Sequence, residues 1–201
     1  MTSLLQINAS INDADGQSSQ LANLFVAAYR QREPGAKVTV RNVAADEPVP
    51  HLDAERFAAF LSPAEQRSEA QRAVVAYSDA LIDELKGADV IVLGLPMYNF
   101  GVPSQLKAYF DHVARAGITF RYTAQGPVGL LTGKKVYVFA TRGGLYAGTP
   151  LDTQTSYVRD FLRFIGITQV EFIYAEGLAI SPQSKADTLA RAAAEIARLA
   201  A

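Results

Sequence analysis

What most constrains this chain is a rhythm: short runs of β-branched and leucine-rich residues recur along it, each followed by a stretch of helical period. The runs are Leu4-Leu5-Gln6-Ile7, Val38-Thr39-Val40, Val90-Ile91-Val92-Leu93, Val136-Tyr137-Val138-Phe139 and Val170-Glu171-Phe172-Ile173-Tyr174. Between them Leu21, Leu24, Phe25 and Ala28 keep an i, i+3, i+4, i+7 stripe, as do Leu106, Tyr109, Phe110 and Val113. Further helices are expected over residues 157–165 and 186–199. Strands alternating with helices make βαβ units, whose crossovers place helices on both faces of a mostly parallel sheet. The third run is apolar throughout, as a strand buried on both faces must be, and belongs at the centre.

The longest helix is expected over residues 63–86. Ser62-Pro63-Ala64-Glu65 offers an N-cap, a proline at the first helical position and a capping-box glutamate, and Lys86-Gly87 offers a stop. Five strands with five helices fit an α/β architecture, the flavodoxin-like three-layer doubly wound fold, as one domain over residues 1–201. Its five-stranded parallel sheet has the order 2-1-3-4-5, and ligands bind where that order reverses, beyond the carboxyl ends of strands 1 and 3. The loops after strands 1, 3 and 4 are therefore the places to look for a site.

Composition narrows the chemistry those loops can carry. The 201 residues include no Cys and only two histidines, His51 and His112. No disulfide framework, thiolate nucleophile or iron–sulfur cluster is available, and a histidine-rich metal site is not expected. Nineteen Lys plus Arg against twenty Asp plus Glu give a net charge of −1, so no global field draws the chain to nucleic acid or to an anionic membrane. The opening Met1-Thr2-Ser3-Leu4-Leu5-Gln6 lacks the basic start of a signal peptide. The longest apolar run, residues 90–97, is broken by Gly94 and Pro96 and falls far short of the ~20 residues that span a bilayer. A soluble cytoplasmic protein is expected.

The loop after strand 1 is rich in hydroxyls and amides, with Ser10, Gly16, Gln17, Ser18 and Ser19 ahead of the first helical stripe. A helix N-terminus presents free N–H groups and a positive dipole end, so these hydroxyls suit a phosphate; equally, Ser18 suits an ordinary N-cap. Neither Gly-x-Gly-x-x-Gly nor a Walker lysine occurs here, which argues against a dinucleotide fingerprint and an NTPase. Asp13 and Asp15 would oppose an anion unless they face water. After strand 3, Met97, Tyr98, Asn99 and Phe100 place large apolar groups in a turn bounded by Pro96, Gly101 and Pro103. A flat aromatic ligand would cover them, with Asn99 at its polar edge, whereas a small core beneath the next helix would need Phe100 alone. After strand 4, Thr141, Arg142, Gly143 and Gly144 lead into Leu145 and Tyr146. The two glycines make either a plain turn or a pair of N–H donors to a group that becomes anionic on reduction.

Taken together, these residues resemble the FMN-dependent NAD(P)H azoreductases, which also reduce quinones. The most specific stretches are Pro96-Met97-Tyr98-Asn99-Phe100, Gln105-Leu106-Lys107-Ala108-Tyr109-Phe110-Asp111, residues 114–123, Arg142-Gly143-Gly144 and Phe164-Ile165-Gly166-Ile167-Thr168. The resemblance, which runs almost end to end, implies an FMN cofactor whose phosphate is held by Ser10, Gly16, Gln17 and Ser18. It places the isoalloxazine against Met97, Tyr98, Asn99 and Phe100, with its pyrimidine edge along Thr141, Arg142, Gly143 and Gly144. Members often have Ser where Gly16 stands, and the departure removes one hydroxyl contact. The implied chemistry is ping-pong: NADH or NADPH passes hydride to FMN N5 and leaves, then a quinone or azo compound takes the same slot. No side chain is then a catalytic acid, base or nucleophile, since the cofactor carries the chemistry.

The resemblance also implies a homodimer with the active site at its interface. Phe120, Tyr122, Phe161 and Phe164 would then join Phe100 and Tyr146 around the substrate, some from the other subunit; a core role for Phe161 or Phe164 is the alternative. Arg121 and Arg142 suit either steering of an anionic substrate or ordinary ion pairs. His112 fits surface or interface packing and His51 a loop, while residues beyond the minimal fold, 46–62 and 118–131, suit a pocket wall and a partner contact. Two other readings remain. A hydrolase using Ser10 or Ser18 with a histidine lacks the Gly-x-Ser-x-Gly elbow, and a flavodoxin-like electron carrier without its own substrate does not need the aromatic loop.

Overall fold

The computed structural model describes residues 1–44 and 48–200. The 46–62 segment singled out above lies outside the described residues at 46 and 47. In chain order, β1 (Ser3–Asn8) leads to α1 (Gln17–Arg32), β2 (Lys37–Asn42), α2 (Ala54–Leu61), α3 (Glu69–Gly87), β3 (Val90–Pro96) and α4 (Ser104–Val113). Then follow β4 (Phe120–Thr123), β5 (Gly126–Gly129), β6 (Lys135–Thr141), α5 (Thr153–Phe164), β7 (Gln169–Ala175) and α6 (Pro182–Ala200). Five strands form one sheet in the order β2-β1-β3-β6-β7, all pairs parallel, and β4 with β5 forms a separate antiparallel ribbon. Counting only the strands of the large sheet, this is the expected order.

Alternation along each strand builds the three layers. Leu5 and Ile7 of β1, Ile91, Leu93 and Leu95 of β3, and Val136 and Val138 of β6 enter the core that holds α3, α4 and α5. Leu4, Val92, Tyr137 and Phe139 enter the opposite core beneath α1 and α6. A one-residue slip would send each of these sets to the wrong face, and at ~1.5–3 kcal/mol per buried aliphatic side chain the register is decided by burial. Gln6 sits on the α1 face and is buried, yet its amide donates to Asn8 Oδ1 at 3.0 Å and Asn23 Oδ1 at 2.7 Å. The polar residue inside an apolar run is thus paired.

Two helix expectations need correction. Helix α3 does not begin at Pro63: Ser62 ends α2, residues 64–66 form a short 3-10 turn, and α3 starts after Ser68. The capping box is Ser68 with Gln71, whose side chains each receive the other residue's N–H, at 3.2 and 3.0 Å. Both stretches carry a plausible start, and the one whose side chains close both bonds prevails. Helix α2 went unrecognised, so the α-helices outnumber the five expected; Asp53 caps it by accepting from Arg56 N–H.

The carboxyl ends of β1, β3 and β6 lie on one edge, since Asn8 stands opposite Gly94 and Pro96 opposite Thr141. Helix α1 comes close to this edge. A Cβ on Gly94 would stand 3.1 Å from the backbone oxygen of Ser18, so glycine lets the helix start against the central strand.

Candidate functional site

At the first loop the chain prepares donors and leaves them unpaired. Gly16 is the N-cap of α1 and, lacking a side chain, satisfies none of the helix's first N–H groups. Ser18 and Ser19 are fully buried in the first turn, and neither hydroxyl has a partner among the described residues. Capping is therefore not what Ser18 does. Buried hydroxyls without partners at the positive end of a 16-residue helix fit a phosphate. Ser10 is buried beside them: its Oγ accepts from Asn12 N–H at 3.2 Å and lies 3.3 Å from the Tyr98 hydroxyl. A Cβ at Gly16 would stand 2.1 Å from Ser10 Oγ, so the missing side chain at 16 is what makes room for Ser10. The acids do not oppose an anion, because the Asp13 carboxylate is engaged by the Asn42 amide and Asp13 and Asp15 both face solvent.

The loop after β3 is strained. Tyr98 and Gly101 exchange backbone hydrogen bonds at 3.2 and 3.0 Å, and the residues between them, Asn99 and Phe100, have φ of +49° and +65°. A turn with both central residues left-handed is normally built from Asn and Gly, and Phe at the second position costs energy. Such strain persists only where the surroundings over-determine it, and it clusters at binding and catalytic sites. The surroundings here are explicit. The Tyr98 hydroxyl accepts from Ile11 N–H at 3.3 Å, Met97 N–H donates to the Thr141 carbonyl at 2.9 Å, and the Thr153 hydroxyl donates to the Phe100 carbonyl. The Gln154 amide donates to the carbonyls of Pro96 at 2.9 Å and Gly101 at 3.1 Å.

The third loop is held from below. Arg142 is fully buried and its guanidinium turns inward, to Asp152 Oδ1 at 2.7 Å, Thr155 Oγ1 at 2.8 Å and Glu176 Oε1 at 3.1 Å. It is a structural ion pair and is not placed to steer a substrate. Burial pushes the Asp152 carboxyl up, but the Arg142 and Thr155 hydrogen bonds outweigh it and hold the group below the ordinary carboxylate range. Glu176 Oε1 also accepts from Tyr146 N–H at 2.8 Å and Ala147 N–H at 2.9 Å. The carbonyls of Gly143 and Gly144 are taken by Ala179 and Gly177, whereas among the described residues nothing accepts from the N–H groups of these two glycines.

Met97, Asn99, Phe100, Gly143 and Tyr146 line a hollow of about 210 Å³, and the Phe100 and Tyr146 rings meet edge to face at 5.4 Å. On the other flank of Phe100 a hollow of about 470 Å³ is lined by Val102, Lys107, Gln154 and Tyr157 among others. Burial and then the Asp111 carboxylate push the Tyr157 phenol up to about 12, so it stays neutral at physiological pH. The other expected pocket aromatics lie elsewhere in the subunit. Phe161 stacks on Phe110 at 4.0 Å, and Phe120 packs on Phe164 at 4.2 Å under the β4–β5 ribbon, where Tyr122 stands 74% exposed. Arg121, on the same strand, is also exposed.

His112 departs from expectation too, being buried against Phe60 and Tyr77 with Nε2 3.0 Å from the Pro50 carbonyl. With Ser10 bonded to Tyr98, Ser18 unpartnered and Ser78 bonded to the His112 carbonyl rather than to its ring, no serine hydroxyl is bonded to a histidine ring among the described residues, which removes the hydrolase reading. Nor does any group of acidic or histidine residues there suit a metal ion. Sequence reasoning missed Gln154, Asp152 and Glu176. An N-cap signal at Asp152-x-x-Thr155 was readable, but a glutamate just past β7 and a glutamine inside a helix carry no pattern that points to a neighbouring loop.

Comparison with known proteins agrees with this geometry. The Flavodoxin_2 family model, described as flavodoxin-like fold, matches residues 2–200. The FMN-dependent NADH:quinone oxidoreductase of Burkholderia thailandensis is 58% identical over 197 residues, covering 98% of this chain and 99% of that protein. The enzyme of the same name from Cellvibrio japonicus is 55% identical over 186 residues, 92% of this chain and 93% of its own. Among solved structures, an azoreductase from Bacillus anthracis superposes with a TM-score of 0.90 at 29% identity, covering 100% of this chain and 99% of its own. An FMN-dependent NADH-azoreductase from the same species, solved with FMN, gives a TM-score of 0.87 at 26% identity with 100% coverage of both. The chain belongs to the Flavodoxin_2 family and, within it, to the group of FMN-dependent NADH:quinone oxidoreductases and azoreductases.

Proposed function

We propose that this protein is an FMN-dependent NADH:quinone oxidoreductase that also reduces aromatic azo compounds. The observation that carries the reading is the coincidence, on one sheet edge, of unpaired buried hydroxyls at a helix N-terminus with a strained aromatic turn and two free glycine N–H groups. The chemistry FMN supplies when bound is acceptance of hydride from NADH at N5 and its delivery to a quinone or azo acceptor, in two half-reactions through one slot. Ser10, Ser18 and the N–H group of Gln17 hold the phosphate, while the Gly16 N–H is already given to the Asp13 carbonyl at 3.2 Å. Met97, Tyr98, Asn99 and Phe100 support the ring system and exclude water from it. Thr141 and Arg142 contribute backbone to the same wall, and Gly143 and Gly144 offer fixed N–H donors where negative charge develops, without reorganisation during the reaction.

The active form in this proposal is a cytoplasmic homodimer. The support is chemical: within one subunit the slot has Phe100 and Tyr146 but is open on its outer side, while Tyr122 projects into solvent with Val128 and Leu130 exposed on and beside the adjacent strand. Tyr122 of a second copy is suited to cover the open side.

The test is anaerobic: purified protein reconstituted with FMN is titrated with NADH while its visible absorbance is followed, and then mixed with a benzoquinone. Bleaching by NADH and recovery on quinone addition are expected. A protein that takes up no FMN contradicts the reading, and one that binds FMN but is not bleached by NADH or NADPH is an electron carrier instead. Light scattering tests the dimer, and a fully active monomer excludes a shared site.

A further inference from the structure

Four consecutive residues at the start of α5 reach both walls of the slot. Thr153 donates its hydroxyl proton to the Phe100 carbonyl, and the buried Gln154 amide bridges the carbonyls of Pro96 and Gly101, at 2.9 and 3.1 Å. These bonds reach the end of β3 just before the left-handed turn, the turn itself and its last residue. On the other side Asp152 and Thr155 take the Arg142 guanidinium at 2.7 and 2.8 Å, and Arg142 carries Glu176, which in turn fixes the N–H groups of Tyr146 and Ala147. The hydroxyl of Thr155 is itself fully engaged, donating to Asp152 Oδ2 at 2.9 Å and lying 3.0 Å from the Tyr174 hydroxyl. Among the bonds of this first helical turn to other elements, those just named go to the strained turn, to Arg142 and to Tyr174.

From this arrangement we infer that the first turn of α5 is a positioning element that sets the two walls of the slot relative to one another, with Gln154 as its principal positioning residue. The inference rests on the slot being the FMN site, and it adds to that reading a reason why the walls stay in place. Neither wall holds its own shape. The Asn99–Phe100 turn is strained and needs outside bonds to persist, and the Gly143–Gly144 backbone has little conformational preference. One turn of helix bonded to both makes a rigid common reference, and misplacement by about 1 Å is enough to lower the rate of an oriented reaction substantially.

Two variants test this, each in the full-length protein: Gln154→Leu, which removes the side-chain donor to the Pro96 and Gly101 carbonyls and leaves the latter only the Tyr98 N–H, and Thr153→Val, an isosteric change at an exposed position that cannot unfold the core. A third, Glu176→Gln, addresses the other wall. In the absence of flavin, hydrogen exchange is expected to quicken at Tyr98 and Gly101 for the first two variants and at Tyr146 and Ala147 for the third, each leaving the opposite wall protected. With flavin, each variant is expected to weaken FMN binding by about tenfold at temperatures well below its Tm, the loss of roughly one hydrogen bond to a polar partner. The midpoint potential and visible spectrum of bound flavin shift as well, which a lowered Tm alone would not produce. Exchange at both walls and FMN affinity equal to the parent protein's overturn the inference, whatever the change in Tm. If the parent protein binds no FMN, the functional reading fails, and the flavin-free exchange still decides whether α5 braces the two walls.

Discussion

Single residues at this site do two unlike things, and substitution separates them. Ser18 has a buried hydroxyl with no partner in the flavin-free protein, so its removal costs the fold almost nothing and relieves an unsatisfied group. Ser18→Ala is therefore expected to leave Tm unchanged or slightly raised while FMN binding weakens about tenfold, measured by quenching of flavin fluorescence. A parallel loss of both would mean that the hydroxyl serves the fold. Gly16 behaves oppositely. Because a Cβ there meets Ser10 at 2.1 Å, Gly16→Ala is expected to displace Ser10 from Tyr98 and lower stability by ~1–3 kcal/mol in a denaturant titration. The glycine that looked like a missing contact in the sequence is the space that Ser10 occupies. Residue identities here were legible in the sequence. Their roles were not, because whether a hydroxyl caps a helix or waits for a ligand depends on where its own partners lie.

Among the elements, strands were read best and helix starts worst, for a physical reason. A strand buried on both faces, such as Val90–Pro96, opens with four consecutive apolar residues, Val90 to Leu93, a run that a turn does not imitate. A helix start is a local hydrogen-bond pattern, and Ser62-Pro63 and Ser68 both offered one. Ser68 is the residue that accepts from the third N–H, so Ser68→Ala is expected to cost ~0.5–2 kcal/mol, whereas the same change at Ser62, whose hydroxyl donates to the Ala58 carbonyl from the end of α2, costs less. Thermal melts of the two variants side by side settle which serine starts α3. Helix α2 is amphipathic but only eight residues long, and the strands of the β4–β5 ribbon have four residues each, so neither element gives a run long enough to stand out from a loop.

For the molecule as a whole, the sheet order and the edge that carries the site followed from counting strands, since parallel crossovers leave few arrangements. The bracing of the loops after β3 and β6 by Gln154, Arg142 and Glu176 did not, because those bonds join residues between 10 and 58 positions apart in the chain. Global stability carries a pH signature from His112. Burial pushes its imidazole below the ordinary histidine range, against the Pro50 carbonyl, which acts the other way. The folded value lies below the unfolded one of about 6.5, so this stabilisation is present above that pH and lost as pH falls through and below it. His112→Gln, which has no such titration, is expected to flatten the fall in Tm between pH 7 and pH 5.

That FMN is held through its phosphate at the start of α1 as well as through its ring is the core of the proposed function. Its most direct test is to titrate the flavin-free protein with FMN and, separately, with riboflavin, which has the same ring and no phosphate, following flavin fluorescence. Riboflavin is expected to bind at least about a hundredfold more weakly, since a phosphate on buried donors contributes several charge-assisted hydrogen bonds. Equal affinity for the two flavins would contradict it.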